Sequence, residues 1–556
     1  MLPQRGRAWG KLLAICDLSS ASSGNGEDAN FCVVGAGIAG LLLATRLARQ
    51  SNRKVIVLES GSLAFDPDIH ALNEIDDPSG RYARELTGRY RGLGGSSSRW
   101  GGRMIPLSSA ESGLRDHVSQ PQWPISHAAL DLYQHEVEEL FAVGHDSFEE
   151  LDTVRPGAAG LLLEPSEHFK ARWAKCPSFK RCNIVTMLGA ELRASRNVTV
   201  WLNATVSDFE LDRAQGRLRA ITARSLSGRT ITVRADEFVV AAGTIESTRL
   251  LLLVDAASDQ HAFAHTDALG RYFQDHLKAE IAMVDRQRAQ LTNHLLSSRF
   301  VRGTRRDLHL ELSHEAQRED AVSGAFVYVA MDMANSGLGA IKTIARGMQQ
   351  KKLETRHVGM AMRDLGLITT GAFWRLWYQQ LYVPSSVHFR LMASIEQLPD
   401  PQNRITLSTK TDRLGVRKPL FDWRPRPADE RTFQSTVKHL KHYWQRSGFD
   451  KLCPLIWNPA MTDPDDSIIE RAEACAHPSG SARMGTDRAT SVVGPNLRCH
   501  GVPNLAIASA AVFPTAGSAN PTLTLMKLAL WLADSYRPER SLGLLRPRHD
   551  GEVAPV

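Results

Sequence analysis

Three glycines spaced as G-x-G-x-x-G form the pattern that most directly indicates chemistry: Gly35, Gly37 and Gly40. In a turn from a strand to a helix, the first glycine permits the tight bend and the second lets the backbone approach a pyrophosphate. The third lets the helix and the strand pack closely. The unpaired N–H groups at the helix N-terminus, beside Ile38 and Ala39, then face the phosphates. The spacing therefore predicts a dinucleotide-binding site.

The elements on either side of the glycines are those that such a site requires. Residues 31–34 form an apolar run typical of a strand buried on both faces, and residues 41–49 have the periodicity of a helix. A second apolar run, 54–59, ends in Glu59, at about the 20-residue spacing of an acid that binds ribose hydroxyls. Without this context the motif would indicate only a glycine-rich turn with a surface glutamate. No second motif of equal quality occurs, so a separate nicotinamide site is not expected, but the motif alone does not distinguish FAD from NAD.

The overall composition is that of an ordinary globular protein. The 556 residues are 43% hydrophobic and 23% charged, and the length suggests about two to four domains. The formal charge of +7 comes from 67 basic and 60 acidic residues that are interspersed, so nucleic-acid binding is not expected. No apolar run is long enough to span a bilayer, so membrane association is not expected either.

The cysteines and the known hydrolytic motifs exclude several other chemistries. None of the seven cysteines forms a C-x-x-C pair, so neither a zinc ribbon nor a thioredoxin-type site is expected, and no metal site is predicted. Cys176 and Cys182 are close enough in sequence for a disulfide, but reduced thiols in a cytoplasmic enzyme are the simpler interpretation. Neither a G-x-S-x-G nor an H-E-x-x-H motif occurs.

Further elements are predicted around the β-α-β unit. Strands are predicted at 198–202, 206–211, 220–224, 230–233, 238–241 and 504–508, and helices at 127–142, 245–254 and 522–536. Because a strand and a helix of the same kind return near the C-terminus, the nucleotide domain is predicted to be discontinuous. Residues 336–383 are helical in composition, with aromatic residues near one end: Trp374, Trp377, Tyr378 and Tyr382. This segment is predicted to cover a site, with a helix lying on a membrane surface as the alternative.

Five segments, spread in order over most of the chain, carry a family resemblance. They are 31–59, the glycine- and serine-rich run 92–102, the run 239–247, His477-Pro478-Ser479-Gly480 with Met484-Gly485, and 504–524. Together they resemble the glucose-methanol-choline (GMC) family of flavoenzymes, nearest to its pyranose oxidase-like and bacterial sugar-type branch. The resemblance implies a Rossmann-like FAD domain, a substrate domain built partly on an antiparallel sheet, and oxidation of an alcohol by hydride transfer to flavin N5.

The resemblance also implies which residues contact FAD. Beyond the first glycine motif and Glu59 they are Gly94, Gly95, Ser96, Ser97, Trp100, Gly101, Val206, Ala242, Gly243, Ser509, Ala510, Pro521 and Thr522. Two positions depart from the pattern of the family. Arg99 stands where some relatives carry a histidine covalently attached to FAD, which implies non-covalent FAD here. Ser509 stands where many relatives have an acid, which removes one expected polar contact.

His477 and Asn520 are the catalytic pair that the resemblance implies. Alcohol oxidation needs a base, and histidine suits that role because its unperturbed pKa is about 6.5. His477 matches the position of the family's base, and the Asn520 amide would hydrogen-bond the substrate oxygen as negative charge develops. Without the resemblance, His477 would be taken as a structural histidine in a turn. His276 and His500 are predicted to be turn and packing residues.

The predicted fold is α/β, with a discontinuous Rossmann-like FAD domain and an α+β substrate domain. The predicted boundaries are a flexible N-terminal segment 1–28, the FAD domain 29–115, 186–255 and 471–540, the substrate domain 116–185 and 256–470, and a flexible tail 541–556. The boundaries follow from where the nucleotide-type elements and the motif-free stretches fall along the chain.

Three functions stay open at this point. The leading one is FAD-dependent oxidation of a CH–OH group in a sugar, polyol or similar alcohol. The second is oxidation of a lipid-like or aromatic alcohol, for which the aromatic cluster near Trp374 leaves room. The third is a flavin-binding protein without turnover, which the presence of both His477 and Asn520 argues against. The sequence does not indicate whether oxygen, a quinone or a redox protein accepts the electrons, and it does not indicate the oligomeric state.

Overall fold

The computed structural model describes residues 15–21, 25–50, 52–82, 84, 86–151, 166–331, 365–461, 463 and 466–537. The strands are β1 (Ile15–Asp17), β2 (Asn25–Val34), β3 (Val55–Leu58), β4 (Phe169–Cys176), β5 (Val198–Leu202), β6 (Thr205–Asp212), β7 (Arg217–Arg224), β8 (Thr230–Val240), β9 (Leu277–Val284), β10 (Arg299–Val301), β11 (Thr304–Leu312), β12 (Ala325–Met331), β13 (Phe389–Ile395), β14 (Arg404–Thr411), β15 (Arg417–Asp422), β16 (Leu455–Trp457), β17 (Glu473–Ala474) and β18 (Leu505–Ile507). The helices are α1 (Ile38–Gln50), α2 (Pro67–His70), α3 (Ser109–Ser112), α4 (His127–Asp131), α5 (Gln134–Phe141), α6 (Ile184–Ala194), α7 (Thr244–Ala257), α8 (Ala289–Leu296), α9 (His314–Glu319), α10 (Leu365–Phe373), α11 (Pro427–Arg446), α12 (Phe449–Leu452) and α13 (Pro521–Ser535).

The first sheet carries the glycine motif. Its strands β1-β5-β3-β2-β8 are parallel and adjacent in that order, and the antiparallel pair β7-β6 extends it beside β8. The apolar run of β3 is buried throughout, as expected of a strand covered on both faces. Helix α1 lies against α6 and α13. These elements confirm the predicted α/β class and its Rossmann-like unit.

Strand β8 is continuous where the sequence predicts two strands, 230–233 and 238–241. The polar residues 234–237 suggested a break, but β2 pairs with β8 on both sides of this stretch and along it. On the other edge of β8 the neighbour changes from β7 to β18, with β7 pairing up to Arg234 and β18 from Phe238 onward. The polar residues therefore mark a change of neighbour rather than the end of a strand.

The second sheet is antiparallel, as predicted for the substrate domain. Its order is β10-β11-β12-β13-β9-β16, with β4 paired to β11 and β17 paired to β9. Helix α11 packs on this sheet through buried apolar side chains that include Phe433, Val437 and Leu440. The carboxyl-side edge of the first sheet and one face of the second sheet together carry the candidate site.

Three segments pair or pack with elements outside the regions to which the predicted boundaries assign them. Residues 15–17 and 25–28, predicted to be flexible, pair with β5 and β8 in the first sheet. Helices α4 and α5, predicted to belong to the substrate domain, pack against α13 and share the core of the first domain. Strand β17, predicted to lie in the FAD domain, pairs with β9 of the second sheet. In each case the deciding partner is distant in sequence, so the local pattern could not reveal it.

Of the predicted helical segment 336–383, residues 336–364 lie outside the described residues. The described remainder includes α10 and a π-helical turn, Trp374–Tyr378. Trp374 is buried, with its ring 4.5 Å from that of His294, whereas Trp377 is 57% exposed. Within the part of the chain that the structure describes, no helix has both the length and the apolar character needed to cross a membrane.

Candidate active site

The glycines of the motif occupy three different environments. Gly35 has φ +104°, and a Cβ there would lie 2.6 Å from the carbonyl oxygen of Ala241. A Cβ on Gly40 would lie 2.0 Å from the carbonyl oxygen of Gly35, so only glycine lets α1 pack this closely. At Gly37 no described protein atom lies within 4 Å of the Cβ position. The loop is therefore tight at the first and third glycines and open at the second, where a ligand can approach.

A cavity, the first cavity, opens at the N-terminus of α1. The predicted cofactor residues that line it are Gly35, Gly37, Ile38, Ala39, Glu59, Gly95, Ser96, Ser97, Trp100, Val206, Ala242, Gly243, Ser509, Ala510, Pro521 and Thr522. Gly40 and Gly94 are not in its wall: Gly40 packs on Gly35, and the Gly94 N–H donates to the Ala36 carbonyl (2.9 Å). Gly101 lines a neighbouring second cavity instead.

Glu59 is engaged by the protein's own backbone. Its Oε2 accepts a hydrogen bond from the Ala36 N–H (2.8 Å), and its Oε1 accepts from the N–H groups of Gly61 (2.8 Å) and Gly92 (3.0 Å). The carboxylate thereby ties the glycine loop to two other turns. Burial raises its pKa in spite of these bonds. Because Oε2 accepts only one hydrogen bond from the described residues and Glu59 lines the first cavity, that oxygen retains a lone pair for a ribose hydroxyl.

His477 and Asn520 lie side by side. His477 lines both cavities and Asn520 lines the second, and Nδ2 of Asn520 is 3.3 Å from Nε2 of His477. Asn520 is the N-cap residue of α13, yet its side chain makes no capping bond. Among the described residues its Oδ1 has no hydrogen-bond partner. The amide is therefore aimed at His477 and the cavity rather than committed to the helix.

The ring of His477 also contacts His276. His276 was predicted to be a turn and packing residue, and this contact corrects that prediction. Nε2 of His276 lies 2.7 Å from the Gly517 carbonyl oxygen, which can only accept, so the proton of His276 is on Nε2. Its bare Nδ1 lies 3.0 Å from Nδ1 of His477, which must then carry the proton of His477. This arrangement leaves Nε2 of His477 as an acceptor. The only local signal was the polar run Gln274-Asp275-His276 immediately before the apolar strand β9.

The surroundings of His477 keep it neutral. Burial lowers the pKa of His477 well below its usual value, and His276, Arg103, His309 and Lys278 lower it further. Its backbone N–H donates to Oδ1 of the buried Asp275 (2.8 Å), whose pKa burial raises to about 7. His477 is thus a fixed, uncharged imidazole whose free nitrogen is next to an amide donor.

Comparisons with known proteins agree with this geometry. Residues 399–529, which include His477 and Asn520, match the model of the GMC oxidoreductase family, and residues 33–64 match that of an NAD(P)-binding Rossmann-like domain. The chain is 22% identical over 87% of its length to the oxygen-dependent choline dehydrogenase of Rhizobium etli, covering 91% of that protein. These matches support the assignment of the chain to the GMC oxidoreductase family.

Two further proteins are similar to this chain. It is 24% identical to the fructose dehydrogenase large subunit of Gluconobacter japonicus over 60% of its own length, and it spans only 53% of that subunit. The fold resembles that of pyridoxine 4-oxidase from Mesorbium loti, with a TM-score of 0.57 and 17% identity over 91% of this chain and 99% of the other. The solved structure supports the fold, and the match to the GMC model supports an oxidoreductase class with FAD as the cofactor.

The first cavity fits a flavin dinucleotide. Gly37 and Gly243 line it, and neither has a described protein atom within 4 Å of its Cβ position, so the backbone is open to a ligand there. Thr205, which the sequence prediction missed, also lines it, and its buried Oγ1 has no partner among the described residues. FAD would be held by the N-terminus of α1 at its pyrophosphate and by Glu59 at its ribose.

Two buried carboxylates that the sequence prediction missed hold the loop before Asn520. Oε1 of Glu396 accepts from the Gly517 N–H (2.9 Å), and both oxygens of Glu396 pair with Arg115 (2.6 and 2.7 Å). Oε1 of Glu111 accepts from the hydroxyl (2.7 Å) and the N–H (2.5 Å) of Ser518. The same loop therefore fixes the carbonyl that orients His276 and leads directly to the Asn520 amide.

The second cavity lies between the second sheet and the pair His477 and Asn520. Its described lining includes aromatic side chains, namely Tyr90, Trp100, Phe326 and Tyr328, and basic ones, namely Arg84, Arg89, Arg99, Arg103 and Lys278. No aspartate or glutamate of the described chain lines it. Since His477 and Asn520 line this cavity too, it is the space in which a substrate can meet them.

Proposed function

We propose that this chain is an FAD-dependent enzyme that oxidises the CH–OH group of a sugar, polyol or similar alcohol, with His477 as the general base. The bound flavin supplies the hydride acceptor. The observation that carries the proposal is the unprotonated Nε2 of His477, which lies beside the Asn520 amide at the cavity wall. An alcohol whose hydroxyl donates to this nitrogen would pass its proton to His477 and expose its oxygen to the Asn520 N–H.

The names of the relatives suggest which kinds of alcohol to consider as substrates. Their names include a sugar, fructose, and two other hydroxyl compounds, choline and pyridoxine. Choline is a cation, and the basic lining of the second cavity would repel it. An aromatic alcohol is the second candidate, because Trp100, Phe326 and Tyr328 form part of the wall.

An anaerobic screen tests the proposal. Sugars, polyols and aromatic alcohols are mixed with the purified holoenzyme, and the visible absorbance of the flavin is followed. At least one class is expected to bleach the flavin. A yellow protein that no alcohol reduces, including under saturating conditions, would instead support a flavin-binding protein without turnover. The same screen, repeated with oxygen, a quinone or a redox protein added to the reduced enzyme, identifies the electron acceptor.

The rate is expected to fall on the acid side at a pH below 6.5. The base must be neutral, activity is lost as the pH falls through its pKa, and burial lowers the pKa of His477 from 6.5. The measurement is the pH profile of kcat/KM, which reports groups of the free enzyme. An acid midpoint at or above 6.5 would contradict the assignment of His477 as the base.

FAD is expected to be bound non-covalently. Arg99 offers no attachment point, and its guanidinium lies over the rings of Tyr90 (4.4 Å) and Phe65 (4.9 Å). The thiol of Cys475 lines the second cavity, but burial raises its pKa to about 12, so it is not a thiolate. Precipitation with trichloroacetic acid should release all of the yellow colour into the supernatant. Flavin that remains with the washed pellet would show a covalent bond.

We also propose a cytoplasmic location. All seven cysteines are free, and Cys176 and Cys182, for which the sequence left a disulfide open, are not joined. Free thiols are the usual state in a reducing compartment. Fractionation of cells producing the full-length chain tests this proposal, and recovery in a secreted fraction would contradict it.

A further inference from the structure

The second cavity has an excess of positive charge. Two carboxylates lie behind its wall: Asp307 is 2.8 Å from Nε of Arg103, and Glu473 pairs with Arg84 (2.5 Å) and Lys278 (3.4 Å). Asp307 is shared with Arg305, which lies outside the lining, and Glu473 is 61% exposed to solvent. Arg84, Arg103 and Lys278 therefore depend on two carboxylates, one of which is shared with Arg305 and the other screened by solvent.

Arg99 is the clearest source of that excess. Arg99 is exposed at the cavity and, among the described residues, its guanidinium has neither an ion-pair partner nor a hydrogen-bond acceptor. The faces of Tyr90 and Phe65 hold it in place instead. A planar guanidinium held by aromatic rings keeps its N–H donors available for a carboxylate or phosphate.

His309 supplies an independent sign that a polar group enters this cavity. It is only 2% exposed, it lines the cavity, and its Nε2 has no hydrogen-bond partner among the described residues. Its ring stacks on Phe326 with centroids 4.1 Å apart, which fixes its orientation. A buried nitrogen without a partner is costly, and a polar ligand in the cavity would relieve that cost.

We infer that the alcohol oxidised at this site carries an anionic group, a carboxylate or a phosphate, which binds among the basic side chains that include Arg99 and Lys278. The inference rests on the proposed function and adds the substrate class. A neutral sugar would leave these charges uncompensated, and a cationic alcohol would be repelled. The alternative role of the same cations is to stabilise only the negative charge that develops at the reacting oxygen. In that role they would assist neutral and anionic alcohols equally.

Matched substrates distinguish binding of an anionic group from stabilisation of the reacting oxygen alone. One set is 4-(hydroxymethyl)benzoate, benzyl alcohol and 4-(hydroxymethyl)benzylamine, and the other is glucuronate, glucose 6-phosphate and glucose. The preferred anion is expected to have kcat/KM at least about tenfold above its neutral analogue, and the advantage should shrink as salt is added. Within the sugar set, glucuronate against glucose 6-phosphate distinguishes a carboxylate from a phosphate. Equal values for neutral and anionic members at low salt would overturn the inference.

Two variants connect the preference to the cavity. Arg99→Gln and Lys278→Met are each expected to lower the anion-to-neutral ratio of kcat/KM by about fivefold or more, mainly through KM. Arg213→Gln is the matched control, because Arg213 is 71% exposed, pairs with Asp259 and lines neither cavity. A loss of the same size in the control, or no loss in the two cavity variants, would contradict the assignment.

A binding measurement keeps the inference separate from the proposed reaction. Benzoate and benzamide, which lack the alcohol, are titrated into the holoenzyme and followed by the change in flavin absorbance. Tighter binding of benzoate than of benzamide, with the difference reduced in Arg99→Gln, supports the anion site. If no alcohol in the screen is oxidised, that result refutes the proposed reaction and leaves this support for the anion site unchanged. Equal binding of the two compounds, combined with equal oxidation of neutral and anionic alcohols, refutes the anion site and leaves the reaction standing.

Discussion

Replacing His477 with alanine is expected to slow substrate-dependent reduction of the flavin by about 10²- to 10⁴-fold, the range that a positioned general base contributes. The imidazole presents its bare Nε2 at the cavity wall, and the Asn520 amide cannot replace it because an amide nitrogen does not accept a proton at neutral pH. The measurement is the rate of anaerobic bleaching in stopped flow at saturating alcohol. FAD content should stay close to one per chain, since the residues implied to hold the dinucleotide come from several other segments, among them the glycine loop, the residue after β3 and the turn after β8.

The controls for His477→Ala separate loss of the base from loss of structure. His127→Ala removes a histidine that pairs with Asp131 and lines neither cavity, so the bleaching rate should be unchanged. Added imidazole should restore part of the rate of His477→Ala in a pH-dependent way. A wild-type bleaching rate in His477→Ala would eliminate this residue as the base, and a loss of FAD from the variant would show that its role is structural.

The part of the fold that the sequence predicted correctly is the part specified by short-range patterns. The bend at Gly35, the close packing at Gly40 and the open face at Gly37 correspond to the roles that the G-x-G-x-x-G spacing implies. Helix α1 and strand β3 lie where apolar periodicity predicts them. The partner of Glu59 was less predictable: the carboxylate binds three backbone N–H groups, one of them from Gly92, a turn that local pattern does not connect to it.

The candidate site was predicted only where motifs covered it. His477 and Asn520 were paired from family motifs, and they lie 3.3 Å apart in the structure. His276, Glu111 and Glu396 were missed because each acts across a long sequence separation, on the far side of a turn or in another domain. A buried carboxylate that accepts a hydrogen bond from a loop N–H produces no periodic pattern in the sequence. These supporting contacts therefore become visible only in the structure.

The basic second cavity illustrates the same limit for electrostatics. Basic residues are spread along the sequence from Arg84 to Lys278 with no run of like charge, so the overall balance of +7 suggested only a mildly basic surface. Folding brings these side chains around one space and places their carboxylate partners behind it. Basic residues that are dispersed along the sequence are thereby concentrated around one cavity, where they produce a local positive potential.

Replacing His276 with phenylalanine is expected to lower kcat by roughly 10- to 100-fold, the range typical when the orienting partner of a functional histidine is removed. His276 accepts the Nδ1–H of His477 because the Gly517 carbonyl keeps its own proton on Nε2. Phenylalanine fills the space but accepts nothing, so His477 can carry its proton on Nε2, the tautomer that cannot accept a proton from the alcohol.

His276→Gln distinguishes this positioning role from simple packing. The glutamine amide can accept from His477 through its oxygen and donate to Gly517 through its nitrogen, so it should recover much of the activity that phenylalanine loses. Both variants should keep FAD and a melting temperature near that of the wild type. Equal loss in both variants together with a large drop in melting temperature would mean that His276 only fills a buried space. If the two variants had equal activity and the wild-type pH profile, the tautomer of His477 would have to be set by some other contact.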